Sequence, residues 1–189
     1  MTDQALPYAA EAVEEIRRVR QARRYEPGPV PEEVLARLLD VARWTGSSRN
    51  TQPWRFIVVT DKEQLRQISE IRTPINWVAD APLAIAIVLD GASPLSEAYD
   101  EGRVTERLLI AARFLGLGGG TAWFGDEGQQ ARGKAILGIP AERTARSVVA
   151  IGVPTTTVDH RPNRVDGGRK PLAELVSYDR LGRTRGGGS

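Results

Sequence analysis

Apolar and polar positions recur along the chain in two rhythms, and each predicts its own elements. Val34, Leu35, Leu38, Leu39 and Ala42 fall at helical spacing behind Pro31, with Glu32 and Glu33 in the first turn, and predict a helix. Residues 11–23 predict one or more earlier helical turns, and Glu26-Pro27-Gly28-Pro29 is the connector, since two prolines flanking a glycine cannot continue a helix. Trp54 to Thr60 reads as a strand, and Asp61 caps a short helix through Ile71. Ala81 to Asp90 is apolar on both faces, the mark of a central strand in a covered sheet. Val104, Leu108, Leu109, Ala111, Ala112 and Leu115 make Glu101 to Leu115 the longest helix, nearly buried, with Gly116 as its stop. Thr121 to Phe124 follows as a short strand, then a helix near 127–137, a strand over Ser147 to Val153, and a short helix over Pro171 to Val176. Strands interspersed with helices, with helices covering a central sheet, make an α+β layer fold.

Composition narrows the class. At 189 residues and 41% hydrophobic the chain suits one soluble domain, expected over residues 1–185, with the Gly-Gly-Gly-Ser tail at 186–189 set aside as flexible. No run of about 18 apolar residues would span a bilayer, and Met1 to Ala10 carries neither a basic n-region nor an apolar h-region. A cytoplasmic protein with no membrane partner is expected. The chain has no Cys and one His, so Cys-ligated metal, a disulfide scaffold and a Cys nucleophile are excluded, and no metal site is expected. His160 stands beside Arg161 in a polar stretch and reads as a solvated loop residue. No catalytic side chain stands out, so an enzyme built on this sequence would rely on a cofactor for its chemistry.

Charge adds a local feature. Net charge is only +2, which argues against a surface built for nucleic acid, yet five arginines fall between Arg17 and Arg24. That cluster reads as a solvated helix face, a nucleic-acid arm or a phosphate clamp; Arg20 and Arg23 stand one helical turn apart, able to converge on one anion. The glycines at 116, 118, 119 and 120 follow a helix and precede a strand, the reverse of a dinucleotide-binding turn, and suit either a helix cap or close approach of a flat ring. Ser47 to Trp54 concentrates hydroxyl and amide groups, which suit either a self-bonded turn or contact with a polyhydroxylated chain.

Taken in order, several segments together resemble the nitroreductase-like flavoprotein family. They are Arg20-x-x-Arg23-Arg24-Tyr25-x-Pro27-x-Pro29-Val30-Pro31, Ala42-x-x-x-Gly46-Ser47-Ser48-x-Asn50-x-Gln52-Pro53-Trp54-x-Phe56, Ala81-Pro82, Leu115-Gly116-Leu117-Gly118, Leu137-Gly138-Ile139-Pro140 and Ile151-Gly152-Val153-Pro154. The resemblance spans about residues 16–180. It implies an α+β fold with a central mixed β-sheet, FMN at the interface of an intertwined homodimer, and a C-terminal extension embracing the partner. The family's phosphate motif falls on Arg20, Gln21 and Arg23, with Arg24 close by, and its later basic ligands fall on Arg169 and Lys170. Its ribityl and ring loop falls on Ser47, Ser48, Asn50 and Gln52, and its glycine-rich turn against the isoalloxazine on Gly118, Gly119, Gly120 and Thr121. Gln21 stands where the family commonly has Ser, Val19 where it has a further Arg, and Gly46 where it often has Pro.

The resemblance implies an NAD(P)H oxidoreductase in which hydride reaches flavin N5 and then an acceptor, a nitroaromatic or quinone, by a ping-pong sequence. Main-chain N–H groups around Thr121 to Trp123 are the expected N5 donors, and Trp77, Trp123 and Phe124 the candidate acceptor platform, with core packing as the alternative for each. Reduction or dehydrogenation of an activated C=C bond and reductive dehalogenation stay open on the same fold. A flavin-free domain with a basic arm for nucleic acid is the non-enzyme alternative.

Overall fold

The computed structural model describes residues 7–155 and 169–184, with side chains from residue 10 onward. His160 and the tail at 186–189 lie outside the described residues. The chain forms two compact units, Met1–Val158 and Asp159–Ser189. The second contains one short helix, α6 (Leu172–Leu175), preceded by Pro171.

In the first unit, helices α1 (Pro7–Arg17) and α2 (Glu32–Arg43) precede strand β1 (Trp54–Val59). Helix α3 (Lys62–Ser69) follows, then a 3-10 segment (Thr73–Asp80), β2 (Leu83–Leu89), α4 (Pro94–Phe114), β3 (Gly118–Trp123), α5 (Glu127–Ile136) and β4 (Ser147–Gly152). Caps start two helices where acidic residues stand: Asp61 accepts from the Gln64 N–H at 2.8 Å, and Asp126 forms a reciprocal capping box with Gln129.

The sheet has the order β1-β2-β4-β3, and every strand pair is antiparallel. The expectation of a mixed sheet is corrected; the parallel pairing recorded is a single bridge, Gln21 to Gly119. Central β2 is wholly buried because helices cover both sheet faces, and that coverage explains its two-sided apolarity without parallel neighbours. Leu83, Ile85, Ile87 and Leu89 face α2 and α4, where Leu38, Ala42, Val104 and Leu108 close one core. Ala84, Ala86 and Val88 face a second core with Leu65 and Ile68 of α3, Val78 and Phe124. Burial of each such Leu or Ile contributes about 1.5–3 kcal/mol, so both layers are held by the same few strands.

Three further expectations change. Helix α4 begins at Pro94, seven residues before the expected start, because its first turns bury Glu97, Asp100 and Glu101 where apolar residues would have signalled a core face. Glu97 accepts from the N–H groups of Ala92 and Ser93, and Glu101 from Arg146 and Ser147, which ties the helix to β4. Nor is α4 nearly buried: Leu95, Tyr99 and Phe114 are exposed. The glycine run is strand from Gly118 onward, and only Gly116, at φ 75°, belongs to the helix stop. There the Leu117 N–H reaches Ala112 O and the Gly116 N–H reaches Arg113 O, a Schellman closure.

Candidate functional site

Helix α1 stops at Arg17, and the chain runs on extended. The arginine-bearing segment is stitched to the sheet: the Ala22 N–H donates to Gly119 O, the Glu26 N–H to Val153 O and the Thr155 N–H to Arg24 O. Tyr25 pins it further, its buried hydroxyl lying 2.9 Å from Ala22 O and 3.1 Å from Ala150 O. Burial lifts the Tyr25 phenol far above its ordinary value, and the nearby Arg23 charge opposes that only in part.

The extended path corrects the expected helical convergence of Arg20 and Arg23. Three residues span one turn of a helix but roughly 10 Å of extended chain. Arg20 turns back instead, donating to Arg17 O and Val19 O at the end of α1. Arg23 donates to Gln21 Oε1 at 3.3 Å and lies 5.9 Å from the centre of the Trp77 ring. Arg17 and Arg18 pair with Glu14 and Glu15, so the cluster is partly neutralised from within α1. Arg113 of α4 joins Glu15 at 2.7 Å, and these arginines hold the Glu14 and Glu15 carboxyls below their usual range. Arg24 is exposed.

The glycines of β3 are explained by protein packing. A Cβ on Gly120 would run into Ala22 O and the Trp77 ring, one on Gly119 into Leu109 at 2.7 Å, and one on Gly118 into Ala22 Cβ at 2.7 Å. Protein atoms of the chain itself therefore fill the space where side chains would stand on these glycines. What β3 does offer is its outward edge: the Thr121 N–H points away from β4 and meets Gln21 Oε1 at 3.3 Å.

The loop before β1 is built differently. Arg49, Asn50 and Gln52 all take left-handed φ values, 52°, 56° and 48°. Ser47 Oγ accepts from the Gln52 N–H at 2.8 Å, and Arg103 and Arg107 of α4 hold Gly46 O and Trp44 O. Ser48, Asn50 and Gln52 are exposed. Left-handed backbone at non-glycine residues costs about 1–2 kcal/mol each, so three in four positions mark a loop held by its surroundings.

One chain does not bring the loop and the arginine segment together at the sheet. The loop enters β1 at Trp54, opposite Leu89, whereas Gln21 bridges to Gly119, opposite Ile151, which in turn pairs with Leu83. Those are diagonal corners, three strand spacings or roughly 14 Å across and most of a strand length along. Arg169 and Lys170 belong to the second unit, where both are exposed.

Of the candidate platform residues, Trp123 is 51% exposed, with the Arg72 guanidinium 5.0 Å above its ring. Phe124 is fully buried against Gly133, and Trp77 is buried with its Nε1–H donated to Pro74 O, so both take the core position that the sequence held as their alternative. Sequence reading missed an apolar groove of about 810 Å³ between α2 and α4, lined by Ala36, Val41, Ile110 and Phe114. The signal was present in Ile110 and Phe114, which lie beside the core stripe of α4. Among the described residues no three His, Cys, Asp or Glu side chains are placed to hold a metal, and no helix is long and apolar enough to cross a membrane.

With this geometry, comparison with known proteins gives the class. The Nitroreductase family model matches residues 16–90. An Archaeoglobus fulgidus relative, named for NADH dehydrogenase and NAD(P)H nitroreductase activity, is 35% identical over 150 residues, 74% of this chain and 83% of its own. The chain belongs to the nitroreductase family and is an oxidoreductase. Among solved structures, the FMN-dependent nitroreductase of Clostridium difficile superposes with a TM-score of 0.77 at 24% identity, covering 89% of this chain and 99% of that one. A Desulfovibrio desulfuricans protein described as a nitroreductase in complex with FMN gives 0.74 at 26% identity, covering 90% and 97%. The antiparallel sheet between helical layers is the nitroreductase-like α+β fold.

Proposed function

We propose that the protein is a cytoplasmic, FMN-dependent NAD(P)H oxidoreductase that works as a homodimer and reduces planar acceptors of the nitroaromatic or quinone type. The observation that carries this reading is the stitched segment Arg20 to Tyr25, which sets the Arg23 guanidinium beside the outward main-chain edge of β3, both reaching the Gln21 carboxamide oxygen. That donor set suits a phosphomonoester next to a ring with carbonyl and imine acceptors. Bound FMN would supply two-electron transfer between nicotinamide and acceptor. Arg20, Arg23 and Arg24 would hold its phosphate. The edge amides at Thr121 and Trp123 would stabilise the charge of its reduced ring. Ser47, Ser48, Asn50 and Gln52 would contact the ribityl chain.

The diagonal separation of loop and arginine segment supports a second copy, since one chain's two donor groups spring from opposite corners of its sheet. Two surfaces favour that assembly. The groove between α2 and α4 is apolar, with Phe114 54% exposed. Strand β1 is an edge strand with Phe56, Ile57 and Val58 half-buried, a place for a partner's C-terminal extension to lie. Trp123 under Arg72 suits an electron-poor planar acceptor. The internal pairing of Arg17 and Arg18 with acids weighs against a nucleic-acid arm, which needs uncompensated cations.

The visible spectrum of the purified protein tests the reading. A flavin band that bleaches with NADH or NADPH and returns with a nitroaromatic or quinone is expected. Colourless protein that takes up no FMN on titration would sink it.

A further inference from the structure

We infer that Gln21 is a latch on the cofactor site rather than one of its ligands: its carboxamide oxygen occupies the acceptor position that the cofactor must take. The inference rests on the FMN reading above and concerns a residue that departs from the family's usual Ser. Two donors from different elements converge on that one oxygen, the Thr121 N–H from the β3 edge and Arg23 Nη2 from the stitched segment, each at 3.3 Å. Both groups belong to the proposed donor set. A Ser side chain at this position is two bonds shorter and would not span from residue 21 to the edge amide of residue 121.

The main chain makes the placement firm. Gln21 bridges to Gly119, and the next residue donates to Gly119 O at 2.8 Å, so the side chain emerges at a fixed point on the β3 edge. The latch is weak where it must open. Both contacts lie beyond the usual 2.7–3.2 Å range of N–H···O bonds, the carboxamide is neutral, and Gln21 is exposed, so its oxygen gives way to a charged phosphate or a ring acceptor at small cost. While the site is empty it keeps Arg23 and the Thr121 amide facing one point. When cofactor arrives, it has to leave.

The test uses the full-length protein stripped of flavin, with FMN binding followed by quenching of flavin fluorescence. Gln21→Ala and Gln21→Ser are expected to bind FMN about fivefold more tightly through faster association, the size expected from releasing long neutral hydrogen bonds. Gln21→Glu keeps the shape but puts a charge against Arg23, and should bind at least about tenfold more weakly. If Gln21→Ala and Gln21→Ser bind FMN as the parent does, or more weakly, Gln21 is a bystander or a ligand and the latch is overturned. If the parent itself takes up no FMN, the flavin reading fails first, and the two failures are told apart.

Discussion

The two edges of the sheet solve opposite problems. At β3 the chain covers part of its own edge: Gln21 and Ala22 meet Gly119, residues 24–26 run on beside Val153 to Thr155, and Gly118, Gly119 and Gly120 give up side chains so that Ala22, Trp77 and Leu109 can approach. At β1 nothing in the described unit pairs the outer edge, and its entry loop holds three non-glycine residues in left-handed backbone. One edge is partly covered by its own chain; the other keeps conformational strain and an open ladder. Strain of that kind persists where something beyond local preference fixes the loop, and here the Arg103 and Arg107 contacts do part of it.

The comparison can be broken, with the largest effect at the covered edge. Replacing Arg20 and Arg23 together by Ala should weaken FMN binding by at least about 100-fold, because each charged hydrogen bond to phosphate contributes about 1.5–3 kcal/mol; a titration with unchanged affinity would move the clamp elsewhere. Gly120→Ala should destabilise the fold by about 1–3 kcal/mol, since its Cβ meets Ala22 O and Trp77, lowering the melting temperature by roughly 5 °C. Calorimetry showing no change would mean the stitched segment is free to move away.

Tyr25→Phe removes the phenol that pins the segment to Ala22 O and Ala150 O and should cost about 1 kcal/mol in denaturant unfolding. The pH dependence has a fixed sign. The folded pKa is raised above the ordinary 10.0, so this contribution is fully present below pH 10 and is lost as pH rises above it toward the folded value. The parent should therefore lose stability above that pH by more than the Phe variant does, and parallel curves would contradict the burial of the phenol. Smallest is Arg49→Gly at the open edge. Relief of the left-handed strain is partly cancelled by the entropy of glycine, leaving stability unchanged or raised by less than about 1 kcal/mol. A clear loss there would mean the Arg49 side chain itself supports the loop.

Much of this was legible in residues whose effect is local. Asp61 and Asp126 cap where acidic N-caps should, Gly116 ends α4 in a left-handed turn, and β2 reads as buried from its apolar run alone. The start of α4 was not legible, because Glu97, Asp100 and Glu101 are buried and break the apolar stripe: Glu97 accepts from the preceding turn, Asp100 pairs with Arg103 along the helix, and Glu101 reaches Arg146 and Ser147 far along the chain. Phe124 and Trp77 could be read either as platform or as core residues, because an aromatic ring carries no mark of the side it will face.

The sequence by itself determined the elements, the two-sided core and the ordered motifs that mark the family, since periodicity, caps and turn residues act over a few positions. Tertiary structure alone decided that Arg20 and Arg23 leave the helix, that the β3 glycines face protein, and that Gln21 meets Thr121 across 100 positions of chain. Such contacts join segments whose separation along the chain carries no information about distance in space, and only the packed sheet edge fixes which atoms share it.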